Sequence, residues 1–82
     1  MRKVNWTRPA AKDLKKLDKL SIERVKSAVR YFANTGIGDV RKLVQYEHEY
    51  RLRVGSIRVR FIYDEPNNAI AIMRVIPRDK AY

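Results

Sequence analysis

The sequence contains no cysteine, a single histidine and no long apolar run. Without cysteine, no disulfide or thiolate metal site supports the fold, which is the usage expected of a reducing cytoplasm. No segment approaches the roughly 20 apolar residues of a membrane-spanning helix, and the charged N-terminus does not have the pattern of a signal peptide. Because a glycine-rich phosphate loop, a cluster of metal ligands and a Ser-His-Asp arrangement are also missing, we expect no cofactor and no metal.

Positive charge is what the sequence has in excess. Its 19 lysines and arginines against 9 acidic residues give a net charge of +10 on 82 residues, a length that predicts one small domain over residues 1–82. Such a field attracts polyanions: RNA, DNA, an acidic protein or an anionic membrane. The most basic segments have strand patterns instead of forming an amphipathic interfacial helix, which disfavours the membrane. A solvated basic surface that only maintains solubility is the alternative interpretation.

The most informative stretch is YRLRVGSIRVRF, residues 50–61, in which apolar and basic residues alternate. Successive side chains of a strand point to opposite faces, so the alternation predicts one apolar and one charged face. Gly55-Ser56 interrupts the pattern and suits a two-residue hairpin turn, because glycine accepts the positive φ of the first turn position. The charged face then carries four guanidinium groups, those of Arg51, Arg53, Arg58 and Arg60.

The remaining segments predict the order β-α-α-β-β-β-β, an α+β domain in which a helical hairpin covers one face of a sheet. Residues 2–7 favour a strand, residues 8–20 a helix capped by Thr7, and a second helix is expected to start at Ser21 and end at Gly36. Residues 41–45 predict a short strand, and 46–49 a turn. A turn at residues 64–68 leads into the apolar run 69–76, which is typical of a central strand.

In length, element order and two motifs, the chain resembles the RelE/ParE superfamily of type II toxin–antitoxin toxins. One motif is the 50–61 run. The other is Arg78 followed by Tyr82 in IPRDKAY, which is similar to the closing Arg…Tyr signature of the superfamily. The resemblance implies a compact RelE-like fold and a toxin silenced by a cognate antitoxin, whose acidic or amphipathic segment wraps the sheet and helices. RelE-type members, the favoured branch, cleave mRNA in the ribosomal A site, whereas ParE-type members poison DNA gyrase.

The resemblance also assigns roles to individual residues. The positions that carry the chemistry in the RelE branch match Arg51, Arg53, Arg58, Arg78 and Tyr82. The first two are lysines in the best-known RelE pattern, so the arginines here keep open the gyrase alternative and a third one, a non-catalytic nucleic-acid-binding module.

The chemistry expected of these residues is cleavage of RNA by its own 2′-OH. Arg58 and Arg78 suit stabilisation of the anionic phosphorane, since arginine remains charged and binds phosphate oxygens in pairs. Arginine holds its proton above pH ~12, so Arg51 and Arg53 are expected to position RNA instead of removing a proton. Tyr82 is expected to stack on a base.

The general base is left open by the sequence. His48 is the only histidine, the side-chain type whose unperturbed pKa lies near neutrality, but it is predicted to sit in a turn, where the position favours an exposed histidine without catalytic function. Lys80 and the Tyr82 phenol are the other candidates, or the ribosome itself supplies part of the function. Arg60 and Arg74 are predicted to contribute RNA binding.

Overall fold

A five-stranded sheet in the order β1-β5-β4-β3-β2 forms the frame of the domain. The structure, a computed structural model, describes residues 1–46 and 48–77. The elements are β1 (Lys3–Trp6), α1 (Arg8–Lys15), α2 (Lys19–Thr35), β2 (Asp39–Lys42), β3 (Glu49–Val54), β4 (Ile57–Asp64) and β5 (Ala69–Pro77), with a turn of 3-10 helix at Glu65–Asn67. The predicted α+β class and element order are confirmed.

Strands β2 to β5 are antiparallel neighbours, whereas β1 pairs with β5 in parallel, from Lys3 opposite Ala69 to Trp6 opposite Ile72. Strand β5 therefore lies inside the sheet between β1 and β4. This position explains its apolar run, because an interior strand with a helix-covered face retains few solvent-facing positions.

Helix α1 begins where the sequence predicts it to begin. The Thr7 hydroxyl caps it by accepting from the backbone N–H of Ala10 at 3.4 Å, and Pro9 occupies the first turn. The same hydroxyl donates to the carbonyl of Ile72 at 2.6 Å, which ties the helix start to β5. The helix ends at Lys15, so the prediction that it reaches residue 20 is wrong.

The reason is a second cap. Asp18 accepts from the backbone N–H of Ser21 at 3.3 Å, and the Ser21 hydroxyl donates to the other carboxylate oxygen at 2.6 Å. Asp18 is thus the N-cap and α2 starts at Lys19, two residues before the predicted start. An aspartate is among the best N-caps, and a serine three residues later returns a hydrogen bond to it. Gly36 ends α2 as predicted.

The core lies between α2 and the covered face of the sheet. Val25, Val29 and Phe32 of α2 are buried there. The strands contribute Leu52, Val59, Phe61, Ile70, Ile72 and Val75. Tyr50 and Tyr63 pack around Phe61 with ring centroids 5.8 and 5.4 Å from it, and Trp6 packs partly buried against the core, which confirms the predicted packing roles of these aromatic residues.

The hairpin of residues 50–61 forms as predicted. Val54 pairs with Ile57 across the Gly55-Ser56 turn, and Gly55 has a φ of 59°. Strand β2, however, spans Asp39–Lys42 instead of 41–45. The Leu43 N–H still donates to the carbonyl of Glu49 in β3 at 2.9 Å, and the chain then bends at residues 44–46. Within the described residues, no helix has the length and apolarity needed to cross a bilayer.

Candidate nucleic-acid interface

The uncovered face of the sheet carries arginines in two rows. In the first row Arg41, Arg51, Arg60 and Arg74 stand directly opposite one another on β2, β3, β4 and β5. Directly opposed residues of antiparallel strands project from the same face, and three strand spacings make this row about 14 Å wide. In the second row Asp39, Arg53, Arg58 and Ile76 are aligned in the same way.

This alignment opposes like charges. Arg51 faces Arg60, and Arg53 faces Arg58, each pair directly across the β3–β4 ladder. Like charges in such positions destabilise a sheet, by a few tenths of a kcal/mol up to about 1 kcal/mol per pair. A sequence that keeps them has a surface suited to binding an anion that lies across both strands.

Carboxylates neutralise only part of the first row. Nη2 of Arg60 donates to both carboxylate oxygens of Glu49 at 3.0 Å, in a pair whose side chains are only 20% and 17% exposed. Nη1 of Arg51 lies 3.9 Å from a carboxylate oxygen of Asp39. Arg41 and Arg53, both exposed, form no ion pair with any residue in the ranges 1–46 and 48–77.

Arg74 closes the row at the junction with α1. Its Nε and Nη2 donate to the two carboxylate oxygens of Asp13 at 2.7 and 3.2 Å. The hydrogen bond to the Asp13 carboxylate, together with its negative charge, raises the pKa of the Arg74 guanidinium above its ordinary value. Arg60 and Arg74, the two residues predicted to contribute RNA binding, are therefore both held by carboxylates of the domain, and their contact with RNA stays a prediction.

The segment 43–46 folds back toward this face and leaves a groove of about 380 Å³. Leu43, Val44, Gln45 and Tyr46 line it on one side, and Arg58, Arg60 and Ile76 on the other. The Tyr46 ring stacks on the Arg60 guanidinium, whose Cζ lies 4.2 Å from the ring centroid. Val44 is fully exposed at the rim of this groove.

His48 lies far along the sheet from Arg58, the described arginine that is assigned to the phosphate. It is exposed, has a φ of 68°, and precedes β3 at the end where Glu49 pairs with Ile62. Arg53 and Arg58 pair near the opposite end, next to the hairpin turn. Five residues of strand separate His48 from Arg53, about 16 Å at the usual rise.

The remaining predicted site residues, Arg78, Lys80 and Tyr82, lie outside the described residues. The last described residues of β5 are Ile76, opposite Arg58, and Pro77, opposite Ile57. The predictions for residues 78–82 rest on the sequence alone.

Four residues of this surface are not predicted from the sequence: Arg41, Glu49, Tyr46 and Asp13. For Arg41 the sequence did contain a signal, because the apolar Val40 before it faces the core and the next residue of a short strand must then face the uncovered side. The pairing of Glu49 with Arg60, 11 residues away, and of Asp13 with Arg74, 61 residues away, depends on strand register and helix docking.

A comparison with protein families decides which one this sequence fits. The model of a family described as the ParE toxin of type II toxin-antitoxin system, parDE, matches residues 4–82. The chain belongs to this family. It is therefore a toxin of a type II toxin–antitoxin system and a member of the RelE/ParE superfamily, as the resemblance implies.

Solved structures of RelE proteins have a fold similar to that of this toxin. A chain of the RelB-RelE antitoxin-toxin complex from Methanococcus jannaschii superimposes with a TM-score of 0.77 at 24% identity, over 95% of this chain and 94% of that chain. A chain of the RelE-RelB complex from Pyrococcus horikoshii has a TM-score of 0.77 at 24% identity, over 94% of each chain. A chain of the E. coli RelBE complex has a TM-score of 0.77 at 16% identity, over 94% of this chain and 96% of that chain. At these identities the likeness establishes the fold. Among curated proteins, no sequence matches this ParE-family toxin significantly.

Proposed function

We propose that this toxin is a ribosome-dependent endoribonuclease of the RelE type, which cleaves mRNA through attack by the 2′-OH. The observation that carries the proposal is the row of four arginines across β2 to β5, with Arg53 and Arg58 next to it on β3 and β4, where like charges oppose each other on one face of the sheet. A phosphate backbone crossing β3 and β4 relieves this repulsion, and single-stranded RNA supplies phosphates at the right spacing for several arginines.

The reaction forms a bond from the 2′ oxygen to phosphorus and breaks the bond from phosphorus to the 5′ oxygen. The 2′ proton leaves to a base, the 5′ oxygen takes up a proton, and the products end in a 2′,3′-cyclic phosphate and a 5′-hydroxyl. Negative charge grows on the equatorial phosphate oxygens meanwhile, and fixed guanidinium groups stabilise it without having to reorganise.

The proposed roles follow from position and charge. Arg58, half-buried in the middle of the second row, and Arg78 beyond the end of β5 stabilise the phosphorane. Arg51 and Arg53 orient the backbone, because a guanidinium does not give up its proton near neutral pH. Tyr82 stacks on a base, and Lys80 is the candidate for the proton transfers, because His48 lies about 16 Å from Arg53 along the strand.

Cleavage on programmed ribosomes tests the proposal. Purified toxin is mixed with ribosomes that hold a defined mRNA, and new 5′ ends are mapped. Arg58→Ala and Arg78→Ala are expected to lose cleavage by at least about 100-fold, the loss typical for removal of one transition-state donor. Arg24→Ala, which removes an exposed arginine from α2, is the matched control and should cleave as the wild type does. Full activity of both site variants contradicts the proposal.

A gyrase poison is the second candidate, favoured by the family name ParE. It predicts inhibited supercoiling and trapped DNA breaks with purified gyrase in the absence of ribosomes. Running both assays on the same preparation separates the two functions. Salt-sensitive nucleic-acid binding without cleavage or gyrase inhibition would instead indicate a non-catalytic module.

The partner proposed for this chain is a cognate antitoxin, as in the RelB complexes of the structural neighbours. Its segment should be acidic or amphipathic, because the chain has a net charge of +10 and the exposed Arg41 and Arg53 of the uncovered face form no ion pair among the described residues. Such a segment can fold as it binds. Co-expression with the neighbouring gene should yield a tight complex in which the toxin no longer cleaves mRNA.

A further inference from the structure

The groove between the 43–46 segment and strands β4 and β5 has no role in the proposal above. Its volume of about 380 Å³ falls within the range of small-molecule sites. Apolar side chains (Leu43, Val44, Ile76), one amide (Gln45) and a guanidinium (Arg58) meet in it. We propose that this groove holds one nucleobase of the bound RNA, next to the phosphate on Arg58, and thereby sets the base preference of cleavage. The inference rests on the proposed function and adds a specificity site to it.

The wall formed by the 43–46 segment is held in place before any ligand arrives. Tyr46 stacks on the guanidinium of Arg60, and Glu49 fixes that guanidinium through two hydrogen bonds of 3.0 Å. The segment is also closed at its base, where Leu43 donates to Glu49 and Glu49 donates to the carbonyl of Tyr46. Arg60 is thus a positioning residue, since it shapes the groove while its own charge is already paired.

The chemistry of the lining selects a base instead of another ligand. An unstacked base presents apolar faces and a hydrogen-bonding edge, and proteins read such bases with apolar or aromatic contacts to the face and with amides at the edge. Val44, fully exposed, and Ile76 offer the apolar contacts, and Gln45 offers both a donor and an acceptor. The ribose-phosphate attached to that base then lies at Arg58, where the second arginine row begins on β4.

A binding titration on the full chain tests the site without requiring catalysis. The probes are the 5′-monophosphates of adenosine, guanosine, cytidine and uridine, with inorganic phosphate as the control for charge. Methyl resonances of Leu43, Val44 and Ile76 and the Gln45 amide should shift with the nucleotides and not with phosphate. One nucleotide should bind about fivefold more tightly than the weakest, the equivalent of one hydrogen bond. Equal shifts with phosphate, or nucleotide shifts confined to residues outside the groove, overturn the inference.

The second arm uses mapped 5′ ends on programmed ribosomes. Gln45→Ala should reduce the ratio of cleavage between the preferred and the least preferred base at the cleavage site by about fivefold. Val44→Trp fills the groove without removing a buried atom and should slow cleavage about tenfold, the loss of one base contact. Ile37→Trp changes another exposed apolar residue, outside the groove, and should cleave as the wild type does. Wild-type preference and rate in both groove variants overturn the inference. A wild type that cleaves no mRNA refutes the proposed function instead, and the nucleotide titration then decides the groove alone.

Discussion

The carboxylate of Asp13 in α1 accepts three hydrogen bonds from strand β5, two from the side chain of Arg74 and one from the backbone N–H of Val75 at 2.9 Å. Strand β1 pairs with β5 only as far as Ile72. Beyond that point no strand of the described residues lies beside β5 on this side, and α1 packs there. Asp13 thus satisfies a backbone donor that a longer β1 would otherwise bind.

Replacing Asp13 with asparagine should lower the free energy of unfolding by about 1–3 kcal/mol. The side chain is 9% exposed, so the amide cannot accept all three hydrogen bonds, and loss of the buried one from the Val75 N–H leaves an unsatisfied donor that costs about this much. Urea denaturation at pH 7 measures the change. Glu23→Gln on the exposed side of α2 neutralises a carboxylate that forms no ion pair within residues 1–46 and 48–77, and its stability should stay within about 0.5 kcal/mol of the wild type. Equal effects of the two substitutions would contradict the role of Asp13.

The same contact makes the stability depend on pH. Burial alone raises the pKa of Asp13, but the hydrogen bonds from Arg74 and Val75 and the charges of Arg74 and Lys16 outweigh it, so the pKa lies below its usual 3.8. A carboxyl with a lowered native pKa stabilises the fold fully above its unfolded value and loses that contribution as the pH falls through the native value. The stability difference between wild type and Asp13→Asn should therefore be constant above about pH 5 and shrink below pH 3.8. A difference that does not change down to pH 2 would contradict this linkage.

Double-mutant cycles should give a larger coupling energy for the Glu49–Arg60 ion pair than for the Arg2–Glu65 ion pair. Glu49 and Arg60 are mostly buried and should show a coupling energy of about 1–3 kcal/mol. Arg2 and Glu65 also form a salt bridge, but Glu65 is 67% exposed, and exposed pairs contribute about 0–1 kcal/mol. The measurement is the free energy of unfolding of the alanine singles and doubles. Similar coupling in both cycles would mean that the Glu49 pair does not anchor the 43–46 segment as we infer.

Local patterns predicted much of this fold. Alternation over residues 50–61 was enough to define a hairpin, its turn at Gly55 and the face that carries Arg51, Arg53, Arg58 and Arg60. The strand alternation and the turn depend only on neighbours in sequence, since the side-chain period of 2 and the φ of a turn glycine are local properties. The caps at Thr7 and Gly36 were identified for the same reason.

What the sequence did not reveal depends on contacts between distant segments. The parallel pairing of β1 with β5 joins Lys3 to Ala69, and no local signal marks it. Leu20 fits the helical spacing of residues 8–20, yet it is 56% exposed, because the cap at Asp18 starts a new helix with a different orientation of its apolar stripe. The carboxylate partners of Arg60 and Arg74 are fixed only when register and helix docking are known.

His48→Asn should leave mRNA cleavage within about twofold of the wild type. His48 stands about 16 Å from Arg53 along the strand, too far for direct proton transfer at a phosphate held near the hairpin turn. Asparagine tolerates the left-handed backbone conformation that His48 adopts, with its φ of 68°, so this substitution removes the imidazole with little strain. Rates from pH 5 to 9 are compared on programmed ribosomes. Loss of cleavage, or loss of an ionisation near neutrality, would assign the general base to His48 after all.

Arg53→Ala should reduce the salt dependence of RNA binding by about one phosphate contact. Arg53 is exposed on the second row, and it has no ion-pair partner among the described residues that would have to be displaced. Each phosphate neutralised on single-stranded RNA contributes about 0.7 to the slope of log K against log salt, so the slope should become shallower by that amount. Binding of a fluorescent, 2′-deoxy-substituted oligonucleotide between 50 and 300 mM salt, roughly the range over which such slopes are linear, measures it. Arg24→Ala removes the same charge from an exposed position on α2, which packs against the other face of the sheet. If both variants change the slope equally, the binding reflects the net charge of the toxin and not its arginine rows.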